Sequence, residues 1–83
     1  MIKQKQTHDF KIGDLVENKT ARLLFSTNID VLFYGLFFVD IEEDEVLIVL
    51  EITPTHVTLQ TEDGRVGWQS AHHFKILQKA SKS

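Results

Sequence analysis

The carboxylates and histidines are the residues of this chain whose types and spacing invite chemistry. Asp40, Glu42, Asp44 and Glu51 fall at positions 1, 3, 5 and 12 of a calcium-loop template. The template needs a glycine at position 6 for its sharp turn, and Glu45 stands there instead. Positions 7 to 11 are Val46 to Leu50, a strand-like run that cannot wrap a cation. The acidic run Glu42 to Glu45 therefore reads as a solvated turn. The histidines are His8, His56, His72 and His73, and no cysteine accompanies them. Side chains of adjacent residues point apart in a regular backbone, so His72 and His73 are not expected to share a metal ion. The expectation is that one of the pair packs and the other is exposed. Ser70 lies near them but no nucleophile elbow surrounds it. Gly64 and Gly67 bracket a hairpin rather than opening a helix, so they form no phosphate cradle. No catalytic, metal or cofactor site is expected, and the chain is not expected to be an enzyme.

The elements that carry these residues must fit in 83 residues with one proline, four glycines and a net charge of −3. That is one small domain without disulfides, yet 42% of it is hydrophobic, with six Phe, and placing that apolar surplus is the problem the sequence sets. The polar ends are expected to be flexible over 1–9 and 79–83, with one domain over 10–78. Met1 to His8 has no apolar core, so no signal peptide is expected. The longest apolar run, Val31 to Val39, is nine residues against the roughly 20 needed for a membrane-spanning helix.

Strand signals begin with Leu15-Val16-Glu17-Asn18, after the turn pair Gly13-Asp14. From Lys19 to Asn28 neither a strand nor a helix period is clean, which predicts a long loop with some side chains tucked in, or at most one helical turn. Ile29 to Ile41, with Gly35 in its middle, predicts two short extended pieces rather than one strand. Val46 to Ile52 is β-branched and apolar throughout, a strand buried on both faces or bent between two halves of a barrel, ended by Thr53-Pro54-Thr55. His56 to Thr61 and Arg65 to Gln69 form a hairpin. Taken as a two-residue turn at Asp63-Gly64, it pairs Glu62 with Arg65, Thr61 with Val66 and Leu59 with Trp68, and puts Val57, Leu59, Val66 and Trp68 on one face. Ser70 to Phe74 predicts one 3₁₀ turn capped by Ser70, and Lys75 to Gln78 a last strand. These elements predict an all-β fold: a small five-stranded antiparallel barrel with a long first loop and a one-turn 3₁₀ helix before the last strand. Its expected core is Leu15, Val46, Ile48, Leu50, Val57, Leu59, Val66, Trp68 and Ile76.

Several motifs run in an order that resembles a known family. They are apolar-x-apolar-Gly-Asp-x-Val over Phe10 to Val16, Leu-Glu-Ile over Leu50 to Ile52, Val-x-Leu-x-x-x-Asp-Gly-x-Val-Gly-Trp over Val57 to Trp68, and His-Phe-x-Ile-Leu over His73 to Leu77. Over residues 10 to 77 the chain resembles the Src-homology-3-like small-barrel proteins, and more narrowly the short uncharacterised proteins of that shape encoded by tailed bacteriophages, including phages of marine bacteria. The resemblance implies the barrel fold and a phage source, with a place in the virion or the host cytoplasm. It brings no catalytic residues. The peptide-binding members carry paired Tyr residues in an acidic first loop and a tryptophan step opening a later strand. Here Tyr34 is single and Trp68 follows Gly67, so proline-rich peptide recognition is not implied.

The sharpest functional signal is Val31 to Val39. A small barrel absorbs one face of such a strand, and the other needs cover from the chain itself, through Ala21 to Phe25, or from a partner. In the second case Phe33, Tyr34 and Phe37 are anchors with Arg22 at the rim, because aromatics and Arg dominate interface energetics. Trp68 has two readings, a core anchor facing Leu59 or a half-exposed platform for a partner. The leading expectation is a non-catalytic protein-interaction module, self-associating or part of a larger assembly such as a virion. The alternative is a nucleic-acid-binding small barrel, which nine basic against twelve acidic side chains disfavour.

Overall fold

A computed structural model describes residues 7–26 and 38–80. The chain is all-β. Among the described residues there are strands β1 (Leu15–Asn18), β2 (Leu23–Ser26), β3 (Phe38–Asp40), β4 (Val46–Ile52), β5 (Val57–Thr61), β6 (Val66–Gln69) and β7 (Phe74–Gln78), with 3₁₀ turns at Thr7–Asp9 and Ala71–His73. They form one sheet in the order β3-β2-β6-β5-β4-β1-β7, and each pairing is antiparallel.

The five expected strands and the 3₁₀ turn before the last of them are present, although Ser70 makes no side-chain cap there. The five-stranded closed barrel is not. Among the described residues the sheet has seven strands and is open, with β3 and β7 at its edges. Of the two further strands, β2 falls in what the sequence presents as the long first loop, and β3 in the stretch Ile29 to Ile41 expected to hold two short extended pieces, of which residues 29–37 lie outside the described residues. β2 pairs with β6 through Phe25↔Trp68 and Ser26↔Gly67, and β3 pairs with β2. The sheet is nevertheless strongly curled. Flat strands spaced about 4.8 Å apart would set β2 and β7 roughly 24 Å from each other. Leu24 of β2 and Phe74 of β7 instead share one core with Phe10, Val16, Leu47, Val49, Val57 and Leu59.

The faces of β1, β4 and β6 are the reverse of expectation. Val16, Leu47 and Val49 are buried, whereas Leu15, Val46 and Ile48 are half-buried on the outer face and Leu50 is exposed. β4 is apolar at both parities, so its pattern cannot choose a face. The expected bend is present as a register shift between Val49 and Glu51, where Leu50 is left out of the pairing. The hairpin is also one residue out of its expected register: Leu59 pairs with Gly67 and Thr58 with Trp68. Its loop is Glu62-Asp63-Gly64, closed by Gly64 N–H to the Thr61 carbonyl (3.0 Å) and Thr61 N–H to the Arg65 carbonyl (2.9 Å). Gly64 takes the left-handed conformation (φ 94°) that a three-residue hairpin loop requires. Val66 and Trp68 consequently leave the core.

Two buried polar residues tie the ends of the fold together. Asn18 is fully buried; its amide donates to the carbonyls of Ala21 (2.7 Å) and Glu42 (2.8 Å), and its Oδ1 accepts from the Ala21 N–H (3.0 Å). It thus clamps the two ends of the segment carrying β2 and β3. Asp14, also fully buried, accepts from the N–H groups of Lys11 (2.9 Å) and Ala80 (2.7 Å), joining the first turn to the end of β7.

Candidate functional site

The register aligns Phe38 of β3, Phe25 of β2, Trp68 of β6, Thr58 of β5 and Glu51 of β4 in one row across five strands. Because Trp68 lies opposite Thr58 rather than Leu59, its ring is outside the core. It is half-buried there by stacking on both sides. The Phe25 ring lies 4.6 Å away at 30°, and the His56 ring, from the β4–β5 connection, 4.6 Å away at 38°. Phe38 meets Phe25 edge-on, with centroids 5.6 Å apart at 64°. Four rings therefore run from the β4–β5 connection to the edge strand. Each such contact is worth about 0.5–1.5 kcal/mol beyond the area it buries. Phe38, at the end of the run, is 47% exposed. A large apolar ring half in water on a three-residue edge strand is the most prominent apolar feature of this face.

The residues proposed from sequence meet this surface unevenly. Trp68 is a member: it lies opposite Thr58 and not Leu59, so it is not the expected core anchor, and it is half-buried with the rings of Phe25 and His56 against it. Arg22 is exposed just ahead of β2, three positions from Phe25, and is not among the aligned residues. Phe33, Tyr34 and Phe37 lie outside the described residues. Phe25, Phe38 and His56 are members that sequence reasoning passed over. Phe25 sits in a stretch without a period. Only the hydrophobicity of Phe38, next to the run Val31 to Phe37, signalled its place.

A second surface is acidic. Glu42, Glu43, Asp44, Glu45, Glu62 and Asp63 line a shallow open depression around Arg65. Arg65 does not face Glu62. Its Nε donates to both oxygens of Asp63 (2.9 Å each), an Nη donates to the Asp40 carbonyl (2.7 Å), and the other lies 3.5 Å from Glu45. Hydrogen bonds from Thr61 and Arg65 hold the Asp63 carboxyl below its usual range. The other paired cations are likewise engaged: Lys19 with Glu17 (2.8 Å) and Asp44 (3.4 Å), and Lys79 with Asp14 (3.7 Å). Among the described residues no three His, Cys, Asp or Glu side chains are grouped to hold a metal ion.

A third cluster surrounds the 3₁₀ turn Ala71–His73. The rings of His72 and His73 do not diverge; they stack with centroids 4.1 Å apart at 37°. His72 is exposed and His73 half-buried, with its Nδ1 2.7 Å from the Thr20 hydroxyl. Among the described residues no helix is long and apolar enough to cross a membrane. Comparison of the chain with protein-family models, curated proteins and solved structures finds no match in any of the three.

Proposed function

We propose that this chain is a non-catalytic protein-interaction module whose contact surface is the aromatic row ending in Phe38. The observation that carries this reading is the half-exposed Phe38 ring at the sheet's edge, backed by Phe25 and Trp68. Backed rings of this kind are stiff and lose little entropy on docking, the property of interface anchors. The neighbouring run Val31 to Phe37 supplies further apolar side chains next to Phe38 in the chain, and in this reading Phe33, Tyr34 and Phe37 extend the same surface. The module is a small barrel-like domain of Src-homology-3-like type, encoded by a tailed phage and acting as a component of an assembly, in the virion or the host cytoplasm. Its partner is protein, whether a second copy or another phage or host chain.

Sedimentation velocity and native mass measurements over a micromolar concentration series test this. The expected result is association that Phe38→Ser weakens while leaving the circular dichroism spectrum unchanged. A wild-type chain that stays monomeric throughout, and retains no protein from a host lysate that the Phe38→Ser chain fails to retain, overturns it.

A further inference from the structure

The long segment between β1 and β4 is fastened at its start by His73. Directly after β1, the N–H groups of Lys19 (2.8 Å) and Thr20 (3.4 Å) both donate to the His73 carbonyl. The Thr20 hydroxyl meets the same residue's Nδ1 at 2.7 Å. One histidine thus holds two consecutive residues through its backbone and its ring, at the root of the segment carrying β2 and β3. The ring of His72 lies against it. We infer that the His72–His73 stack is a pH-sensitive latch: neutral imidazoles hold Lys19 and Thr20, and protonation in mildly acid solution loosens them.

The physical reason is the placement of the rings. Two imidazoles with centroids 4.1 Å apart cannot both become cations without direct repulsion, and the partial burial of His73 adds to the cost of a charge there. Burial first, and the neighbouring His72 second, hold the His73 imidazole below its ordinary value. Among the described residues, the other charged groups on the elements packed here are Lys19, paired with Glu17 and Asp44, and Lys75, which sits opposite Glu17 in the β1–β7 register. None of these acts on His73 as His72 does. The Thr20 hydroxyl can donate or accept, so that bond can reverse on protonation. The unfavourable part is the charged stack itself, which is relieved when the 3₁₀ turn unwinds, separating the two rings and drawing the His73 carbonyl away from Lys19 and Thr20.

The sign follows from linkage. A histidine whose folded value lies below its unfolded one stabilises the latched form fully above about pH 6.5, and that contribution is lost as pH falls through the folded value. Native-state hydrogen exchange of the full chain, with imidazole resonances followed by NMR, tests the latch without any binding partner. From pH 7.5 to 5, the Lys19 and Thr20 amides are expected to lose protection relative to intrinsic rates. Amides of β4 and β5 are expected to keep theirs. The exposed His72→Gln substitution should reduce the loss and raise the midpoint of His73, and His73→Gln should abolish the loss. Unchanged protection at the two amides across this range overturns the inference, as does a loss that His72→Gln leaves as large as in the wild type.

Discussion

Gly67 of β6 lies directly beneath Leu24 of β2: a Cβ built on the glycine would stand 2.6 Å from the Leu24 Cβ and 2.8 Å from the Phe25 carbonyl oxygen. Real Cβ atoms do not approach that closely, and one of the two obstacles is backbone. The absent side chain at Gly67 is what lets β2 lie against β6 and drop Leu24 into the core. Gly67→Ala is therefore expected to destabilise the fold by about 2 kcal/mol through overpacking. Urea unfolding checks it; a cost below about 0.5 kcal/mol, the range of a neutral surface change, would show that β2 docks by other means.

Asn18 is the second fixed point of the same segment. Its side chain makes three hydrogen bonds in a fully buried position, to both groups of Ala21 and to the Glu42 carbonyl. Asn18→Ala strands those groups away from water, at about 3 kcal/mol for several unsatisfied partners. Thermal and chemical unfolding should both show the loss, and Asn18→Asp should not repair it, because a carboxylate cannot donate to the two carbonyls.

Trp68 and Phe38 belong to one row but answer to different tests. Trp68→Ala removes the ring between Phe25 and His56 and is expected to cost about 3 kcal/mol. Phe38→Ser removes one edge contact from a half-exposed ring and is expected to cost about 1 kcal/mol, too little to unfold the chain. Association data for Phe38→Ser can then be read as a surface effect. If Phe38→Ser unfolds the chain, the ring is part of the core and not of a contact surface.

Acid stability centres on Asp14. Burial alone would raise its pKa, but hydrogen bonds from the Ala80 and Lys11 N–H groups and the nearby Lys79 ammonium outweigh it and hold the carboxyl below the ordinary value. The unfolded chain then binds the proton more readily than the folded one. The contribution is present in full above the unfolded carboxylate pKa and is lost as pH falls through the folded value. Unfolding free energy measured from pH 6 to 2 should fall with acid, and less steeply in Asp14→Asn. Parallel curves for the two proteins would show that Asp14 is not the group responsible. An unfolded aspartate titrates at about pH 3.9 and an unfolded histidine at about 6.5, so the Asp14 loss begins at lower pH than the loosening of the latch.

Much of the chain's local structure was legible without coordinates. Pro54 and its threonines end β4, Gly64 turns the hairpin, and the β-branched run Val46 to Ile52 could be little other than a strand. The inward face was another matter. Val46 to Leu50 is apolar at every position, so alternation gives no preference between Val46/Ile48 and Leu47/Val49. The Asp63-Gly64 pair suits either a two- or a three-residue loop. The longer loop moved Trp68 from the expected core to the outer row and brought Gly67 opposite Leu59.

The candidate surface depended still more on contacts distant in sequence. Trp68 could be singled out as an isolated large aromatic, but Phe25 and His56 become its neighbours only once β2 and β5 flank β6. The aperiodic stretch from Lys19 to Asn28 holds no signal that Leu23 to Ser26 is a strand, because that strand is selected by the room above Gly67. Local propensity, turn chemistry and composition determined an all-β domain, most of its strands and the 3₁₀ step before the last. Tertiary structure decided what local preference leaves degenerate: which face of a two-sided apolar strand is buried, which hairpin register holds, and which strands lie on either side of Trp68. Those choices rest on packing between residues distant in sequence, such as Leu24 and Gly67, and such packing has no period along the chain.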